Sequence, residues 1–314
     1  MSFKWQSLIL IVLILISLTI TQLNGSEASE AANKPQNNQE TATSTGFLNF
    51  ESSVTSSFEP VKNIPVRKWD VLDPEITADV TMIHSIDDSA PLYYSNIHEP
   101  HVLASLTKLL TAVIVFEDIG LNKKIPITEE IVATQGFAAN LKSGEVYISR
   151  DLIKLMLLTS SNDSAAAFED YLGGQESFIT LVNRKMEQIG MTETVLYDGS
   201  GLNDFNKGTA SDILLLSRYI LENHPQIFTW TRSYEVLIQP INSTNSRTEY
   251  NINSLIDQRN YLGGKTGTSP AAGENITTVF NVNGKRILII LMGSQDRDED
   301  IKELINWIQE AYNF

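Results

Sequence analysis

The sequence predicts an α+β domain: a sheet assembled from both ends of the folded region, with helices from the middle packed against it. Three observations predict it. Strand-like runs occupy residues 78–86 and 91–95, and strands return at 277–282 and 285–292. Between them, apolar residues recur at helical spacing. A last amphipathic helix, 301–312, follows the final strand. The chain has 314 residues, 42% of them hydrophobic and 19% charged, enough apolar material for one substantial core or two small ones.

Ahead of the folded region lies an apolar segment. After Lys4 no charge occurs until Glu27, and residues 8–20 are almost unbroken Leu, Ile and Val. A spanning helix needs ~20 mostly apolar residues, and residues 5–23 reach that if Ser17, Thr19 and Thr21 are tolerated. Lys4 before the segment, with Glu27 and Glu30 after it, places the remainder outside the cytoplasm. Residues 1–24 are read as a membrane anchor in preference to a cleaved signal peptide. Small residues at Ser26 and Ala28 suit a peptidase, but there is no clear A-x-A site. Both readings export the chain. Residues 25–68 are rich in Ser, Thr, Asn, Gln, Glu, Ala and Pro and are expected to form a disordered polar linker. Phe47, Phe50 and Phe58 give its end something to dock with. The folded domain is expected over 69–314.

Within it, ADVTMIHSI (78–86) reads as a strand, and 91–95 as its hairpin partner beyond Asp87–Asp88. Residues 103–119 turn helical, with Leu106, Leu109, Leu110, Val113 and Ile114 on one face, and Gly120 stops the helix. Ser149 or Arg150 opens a second helix carrying Leu152, Leu155, Met156 and Thr159 on one side. Residues 163–171 form the next, ending at Gly173–Gly174; 176–189 is closed by Gly190. Thr209 and Asp212 form a capping signal before 213–221. Asn283–Gly284 is a strong hairpin turn between 277–282 and 285–292. RILIIL in its second strand is apolar on both faces, so that strand should be central and covered.

Composition excludes several functions. A formal net charge of −15 argues against a nucleic-acid partner, which needs a basic footprint. The absence of cysteine removes thiol catalysis, disulfides and thiolate metal sites. A Ser-His-Asp hydrolase needs a histidine, but no G-x-S-x-G elbow accompanies His84, His98, His101 or His224. His98 and His101 read as loop residues, and a metal site built on them lacks an evident third ligand. The acidic run 296–300 lacks calcium-loop spacing and reads as a solvated helix cap. No metal or cofactor is expected.

Three short motifs carry the chemistry: Ser105-Leu-Thr-Lys108, Ser160-Ser161-Asn162 and Lys265-Thr266-Gly267. Alone each is weak, since a solvated helix start, a cap or an ordinary loop would account for it. Their order and context make the case. Ser105 sits in the first turn of an apolar helix, where backbone amides favour negative charge. Lys108, three residues on, returns to the same face. Its amine can accept the hydroxyl proton if burial or a nearby cation such as Lys265 lowers its pKa. Ser160 and Asn162 fall in a break between helices, where side chains can project into a cleft. Lys265 to Gly267 can begin a strand beside the terminal hairpin, with Gly267 letting a substrate backbone approach.

These motifs resemble those of the penicillin-recognising serine enzymes, and most closely the low-molecular-mass D-alanyl-D-alanine carboxypeptidases. The likeness extends to HVLASLTKLLTAVIVFE, LMLLTSSNDSAAAF, DGSGLNDFN (198–206) and YLGGKTGTSPAAGEN, and covers about residues 78–312. It implies a β-lactamase/D,D-peptidase-like fold: a five-stranded antiparallel sheet flanked by helices, with an all-helical lobe inserted at about 120–255. It also implies roles. Ser105 attacks the penultimate D-alanine carbonyl and forms an acyl-enzyme, with Lys108 as proton acceptor. Ser160 relays a proton to the leaving amine, and Asn162 binds the substrate amide or positions Lys108. Lys265 and Thr266 hold the terminal carboxylate beside Gly267. The amides of Ser105 and Thr268 form the oxyanion hole, where one donor is worth ~3 kcal/mol. The implied partners are peptidoglycan stem peptides ending in D-Ala-D-Ala and β-lactams as covalent inhibitors, with the membrane reached through the N-terminal segment.

Departures bear on specificity. Many such carboxypeptidases add a C-terminal β-rich domain and an anchoring helix; this sequence ends at Phe314, and the N-terminal segment is the candidate substitute for that anchor. Asp198 stands where many members have Asn, a variant also found among related endopeptidases, so carboxypeptidase and endopeptidase both stay open. No convincing E-x-x-x-N block supplies a deacylating glutamate, so efficient β-lactam hydrolysis is not expected. The competing classes are a catalytically inactive penicillin-binding or peptidoglycan-recognition module, and a β-lactam sensor.

Overall fold

The computed structural model describes residues 64–136 and 139–314. In chain order, β1 (Val66–Arg67) precedes β2 (Val80–Ser85), β3 (Ala90–Ser95) and β4 (His101–Val102). A 3-10 turn (Ala104–Thr107) then runs into α1 (Lys108–Ile114) and a wide π turn (Val115–Ile119). The middle comprises β5 (Lys124–Pro126), α2 (Glu129–Val132), β6 (Val146–Ile148), α3 (Ser149–Thr159), α4 (Asn162–Tyr171) and α5 (Gln175–Ile189). It continues through β7 (Lys207–Gly208), α6 (Ala210–Asn223), α7 (Gln226–Trp230), β8 (Glu235–Ile238) and β9 (Arg247–Tyr250). The chain closes with β10 (Tyr261–Ser269), β11 (Gly273–Val282), β12 (Lys285–Ser294), α8 (Arg297–Ala311) and β13 (Tyr312–Asn313).

The main sheet has five antiparallel strands in the order β10-β11-β12-β2-β3, so the two ends of the folded region meet along β12–β2. The RILIIL strand is central, and its period-two alternation divides it between two cores. Leu288, Ile290 and Met292 face the larger core with Leu109, Val113 and Leu216 of α1 and α6. Ile287, Ile289 and Leu291 face the second, with Leu304, Trp307 and Ile308 of α8. Truncating one of these fully buried side chains to Ala costs about 2–5 kcal/mol.

The caps behave as their chemistry requires. Thr209 Oγ1 accepts the Asp212 amide at 3.2 Å to start α6. Gly190 takes φ +87° to end α5. The acidic run is a helix cap, with Asp296 Oδ1 accepting the Glu299 amide at 3.0 Å at the start of α8.

Two features depart from the expected layout. Regular structure is present ahead of Trp69, inside the stretch expected to be linker: Val66 and Arg67 pair with Asn313 and Tyr312. The Arg67 guanidinium helps hold this end, 4.5 Å from the Trp307 ring centroid. A two-residue strand has no periodicity to read. The inserted lobe is also not purely helical, because β5–β6 and β8–β9 form two small ribbons in it. The apolar segment at 8–20 and the linker up to residue 63 lie outside the described residues. Among the described residues no helix is long and apolar enough to cross a membrane.

Candidate active site

The 3-10 turn carries Ser105 over the end of β10 at the mouth of a cleft of about 280 Å³. Two close approaches fix this turn. A Cβ on Gly267 would lie 3.0 Å from both the Leu103 carbonyl oxygen and the Ser105 nitrogen, so any larger residue there would press on the turn as β10 passes beneath it. Gly201, at φ +81°, leaves no room either, since its Cβ would fall 1.8 Å from the Ala104 carbonyl oxygen. Ala104 itself has φ +46°, a strained value for a residue with a side chain. The strain sits immediately before Ser105 and is held by the loop pressed against it.

Lys108 lies beneath Ser105 and is fully buried. Its Nζ is 2.9 Å from Ser105 Oγ, 2.7 Å from Asn162 Oδ1 and 2.5 Å from the Ser200 carbonyl oxygen. The last two partners can only accept from it. A neutral amine donating to both therefore aims its lone pair at the Ser105 hydroxyl. Burial pushes the Lys108 ammonium down to about 7, against the opposing pull of Asp198, Asp163 and Glu169.

Ser160 ends α3 in the left-handed conformation, φ +60° and ψ +27°, which turns its hydroxyl into the cleft. Asn162 opens α4, and its Nδ2 donates to the Gln135 carbonyl at 3.1 Å, leaving Oδ1 for Lys108. Lys265 on β10 is also buried; its Nζ donates to Ser160 Oγ at 2.9 Å and to the Thr266 carbonyl at 2.6 Å. Burial first, then repulsion from Lys108 and Arg297, pushes its pKa well below the usual lysine range. Thr266, Gly267 and Thr268 form the β10 wall of the cleft. All eight residues singled out in the sequence thus meet at one site.

Sequence reading missed three contributors. Arg297, the first residue of α8, lines the cleft, and its Nη1 donates to Thr268 Oγ1 at 2.6 Å. The signal was present as the lone cation in an acidic run read as a cap. The Ser200 carbonyl that receives Lys108 is set by Asp198, whose Oδ1 accepts the amides of Ser200 and Gly201 at 2.8 and 2.6 Å and whose Oδ2 accepts that of Asn203 at 2.8 Å. This wrapping explains the loop's acidic first residue, but no spacing rule exposes it. The third is Glu169, whose Oε1 accepts the Gly199 amide at 2.6 Å. Of the two histidines set aside as loop residues, His98 lies beside Glu193, whereas His101 falls in β4.

Fold and site define a serine hydrolase in which an amine, not an imidazole, lies beside the hydroxyl. The sequence pattern of the S11 peptidases, D-alanyl-D-alanine carboxypeptidase, matches residues 68–296. The chain belongs to this family. It is 27% identical over 284 residues to D-alanyl-D-alanine carboxypeptidase DacD of Escherichia coli, a match covering 84% of this chain and 70% of that one. It is 26% identical over 251 residues to the D-alanyl-D-alanine endopeptidase of the same organism, covering 75% and 78%. The crystal structure of a D-alanyl-D-alanine carboxypeptidase from Mycobacterium tuberculosis superposes with a TM-score of 0.71 at 23% identity, covering 77% of this chain and 95% of that one.

Proposed function

We propose that this chain is a penicillin-sensitive serine D,D-carboxypeptidase, removing the terminal D-alanine from peptidoglycan stem peptides through an acyl-enzyme on Ser105. The observation that carries the reading is the Ser105–Lys108 pair: a partly buried hydroxyl 2.9 Å from a buried amine whose pKa is brought to about 7. At neutral pH a substantial fraction of that amine is free to take the proton.

Ser105 Oγ attacks the penultimate D-alanine carbonyl as its proton passes to Lys108 Nζ. The developing oxyanion is met by the amides of Ser105 and Thr268. The C–N bond then breaks, and the leaving D-alanine nitrogen receives a proton through Ser160 Oγ. Water hydrolyses the ester and regenerates Ser105. The terminal carboxylate is held by Lys265, Thr266 and Arg297, with the Arg297 guanidinium supplying positive charge in a chain of net charge −15. A β-lactam presents the same acyl group and carboxylate in a ring, so its leaving nitrogen stays tethered.

The N-terminal apolar segment supports an extracytoplasmic location, with residues 1–24 as anchor and the following polar stretch as tether. The 26% identity to an endopeptidase supports a second reading, hydrolysis of D,D cross-links. A pentapeptide and a cross-linked muropeptide dimer, offered separately to the enzyme, decide between them. D-alanine release from the pentapeptide, with the dimer untouched, is expected. Dimer cleavage alone would replace carboxypeptidase by endopeptidase.

A further inference from the structure

Next to the cleft, sharing Asn162 and Leu202 with its lining, lies a second cavity of about 240 Å³ lined also by Glu169, Gln175, Asp198 and Ser200. Of its two carboxylates, Asp198 wraps its own loop, whereas Glu169 reaches that loop from α4. Its carboxylate accepts the Gly199 amide at 2.6 Å, while the Gly199 carbonyl accepts Thr111 Oγ1 on α1 at 2.6 Å. The next carbonyl, that of Ser200, accepts Lys108 Nζ. Glu169 therefore grips the loop one residue from the group that orients the amine. Gly199 admits no side chain: a Cβ would lie 2.7 Å from the Phe178 ring and 3.0 Å from Glu169 Oε1.

Resting on the reading of Lys108 as proton acceptor, we propose that Glu169 is a positioning residue. It clamps the Gly199–Ser200 segment against Lys108, and its charge tunes the pH range in which that amine is free. The charged groups facing this region are Asp198 on the loop, Asp163 on α4 and Lys108 on α1, with Glu130 and Asp170 on the outer side of Glu169. Burial pushes the Glu169 carboxyl up to about 7; the Gly199 amide opposes this, Asp198 adds to it, and Lys108 opposes it. The two groups thus titrate over the same range. As pH rises, Glu169 ionises and its negative charge holds the Lys108 proton more tightly. Release of that proton is spread over a wider pH range than a single ionisation gives.

The test is the pH dependence of acylation by a fluorescent penicillin in the full chain, comparing wild type with Glu169→Gln and Glu169→Ala, with thermal melts alongside. Gln keeps an acceptor for the Gly199 amide and loses the charge. Its acid limb is expected to move down by roughly one pH unit and to sharpen to a single ionisation, with Tm little changed. Ala loses both, so its rate is expected to fall ~10-fold at every pH on the same shifted limb. A Gln variant whose profile keeps the wild-type position and width, whatever its Tm, would overturn the proposal and leave Glu169 purely structural. Absence of labelling in folded wild type would instead sink the Ser105 reading beneath it, so the two failures are distinct.

Discussion

Ser105 Oγ and Lys108 Nζ stand 2.9 Å apart, the hydroxyl lining the cleft and the amine buried beneath it. Because burial brings the Lys108 pKa to about 7, acylation should rise with pH through that value and fall below it, where the amine is protonated. Second-order labelling rates with a fluorescent penicillin, taken from about pH 5 to 9, should be half-maximal close to neutrality. A flat profile would remove Lys108 as proton acceptor.

The same buried amine links stability to pH. The folded chain holds the Lys108 proton less tightly than the unfolded chain, so between about 7 and 10.5 the unfolded state binds more protons. The folding penalty from Lys108 is full below about 7 and fades as pH rises. Lys108→Met has no such term. The Tm difference between wild type and this variant should move in favour of wild type as pH is raised from neutral, by up to a few kcal/mol in stability. The variant should show no labelling at any pH. A pH-independent difference would mean that the amine is not desolvated.

Gly201→Ala should be among the most damaging substitutions outside the motifs. It forces a Cβ into the Ala104 carbonyl and places alanine at φ +81°. The backbone term alone costs about 1–3 kcal/mol, and relief of the clash must move the turn that carries Ser105. Thermal melts should show the loss, and labelling at a temperature where the variant stays folded should be slowed. Normal labelling with normal Tm would mean that the loop does not fix the turn.

Arg297 makes a different prediction. Its Nη1 lies 2.6 Å from Thr268 Oγ1 at the cationic end of the cleft. Arg297→Ala should raise KM for peptides with a free terminal carboxylate by ~10–100-fold, since a charge-assisted contact is worth about 1.5–3 kcal/mol. Peptides with an amidated terminus should be turned over poorly by both enzymes and differ little between them. Equal losses on both peptides would mean that Arg297 supports the fold and does not read the carboxylate.

Much of this was legible in the sequence because it depends on local rules. The helical face of Leu106, Leu109 and Val113, the Asn283–Gly284 turn and the doubly apolar 287–292 run each follow from residue spacing. The three motifs place the hydroxyls and amines because helix geometry brings Ser105 and Lys108 to one face. What was not legible depends on partners distant in sequence. Val66–Arg67 is a strand only because Tyr312–Asn313 lies beside it. Arg297 reaches the cleft only because α8 starts where β10 ends. Ser200 contributes a carbonyl, which every residue has, and the ionisation of Glu169 is set by burial that only the folded chain supplies.

The central claim is that Ser105 carries the acyl group, and mass spectrometry of the intact protein and of its peptides after incubation with penicillin tests it most directly. Wild type should gain the mass of one penicillin on the peptide containing Ser105, and Ser105→Ala, folded to the same Tm, should gain nothing. An adduct that persists in the alanine variant, or is mapped to Ser160 or another residue in wild type, would contradict the account.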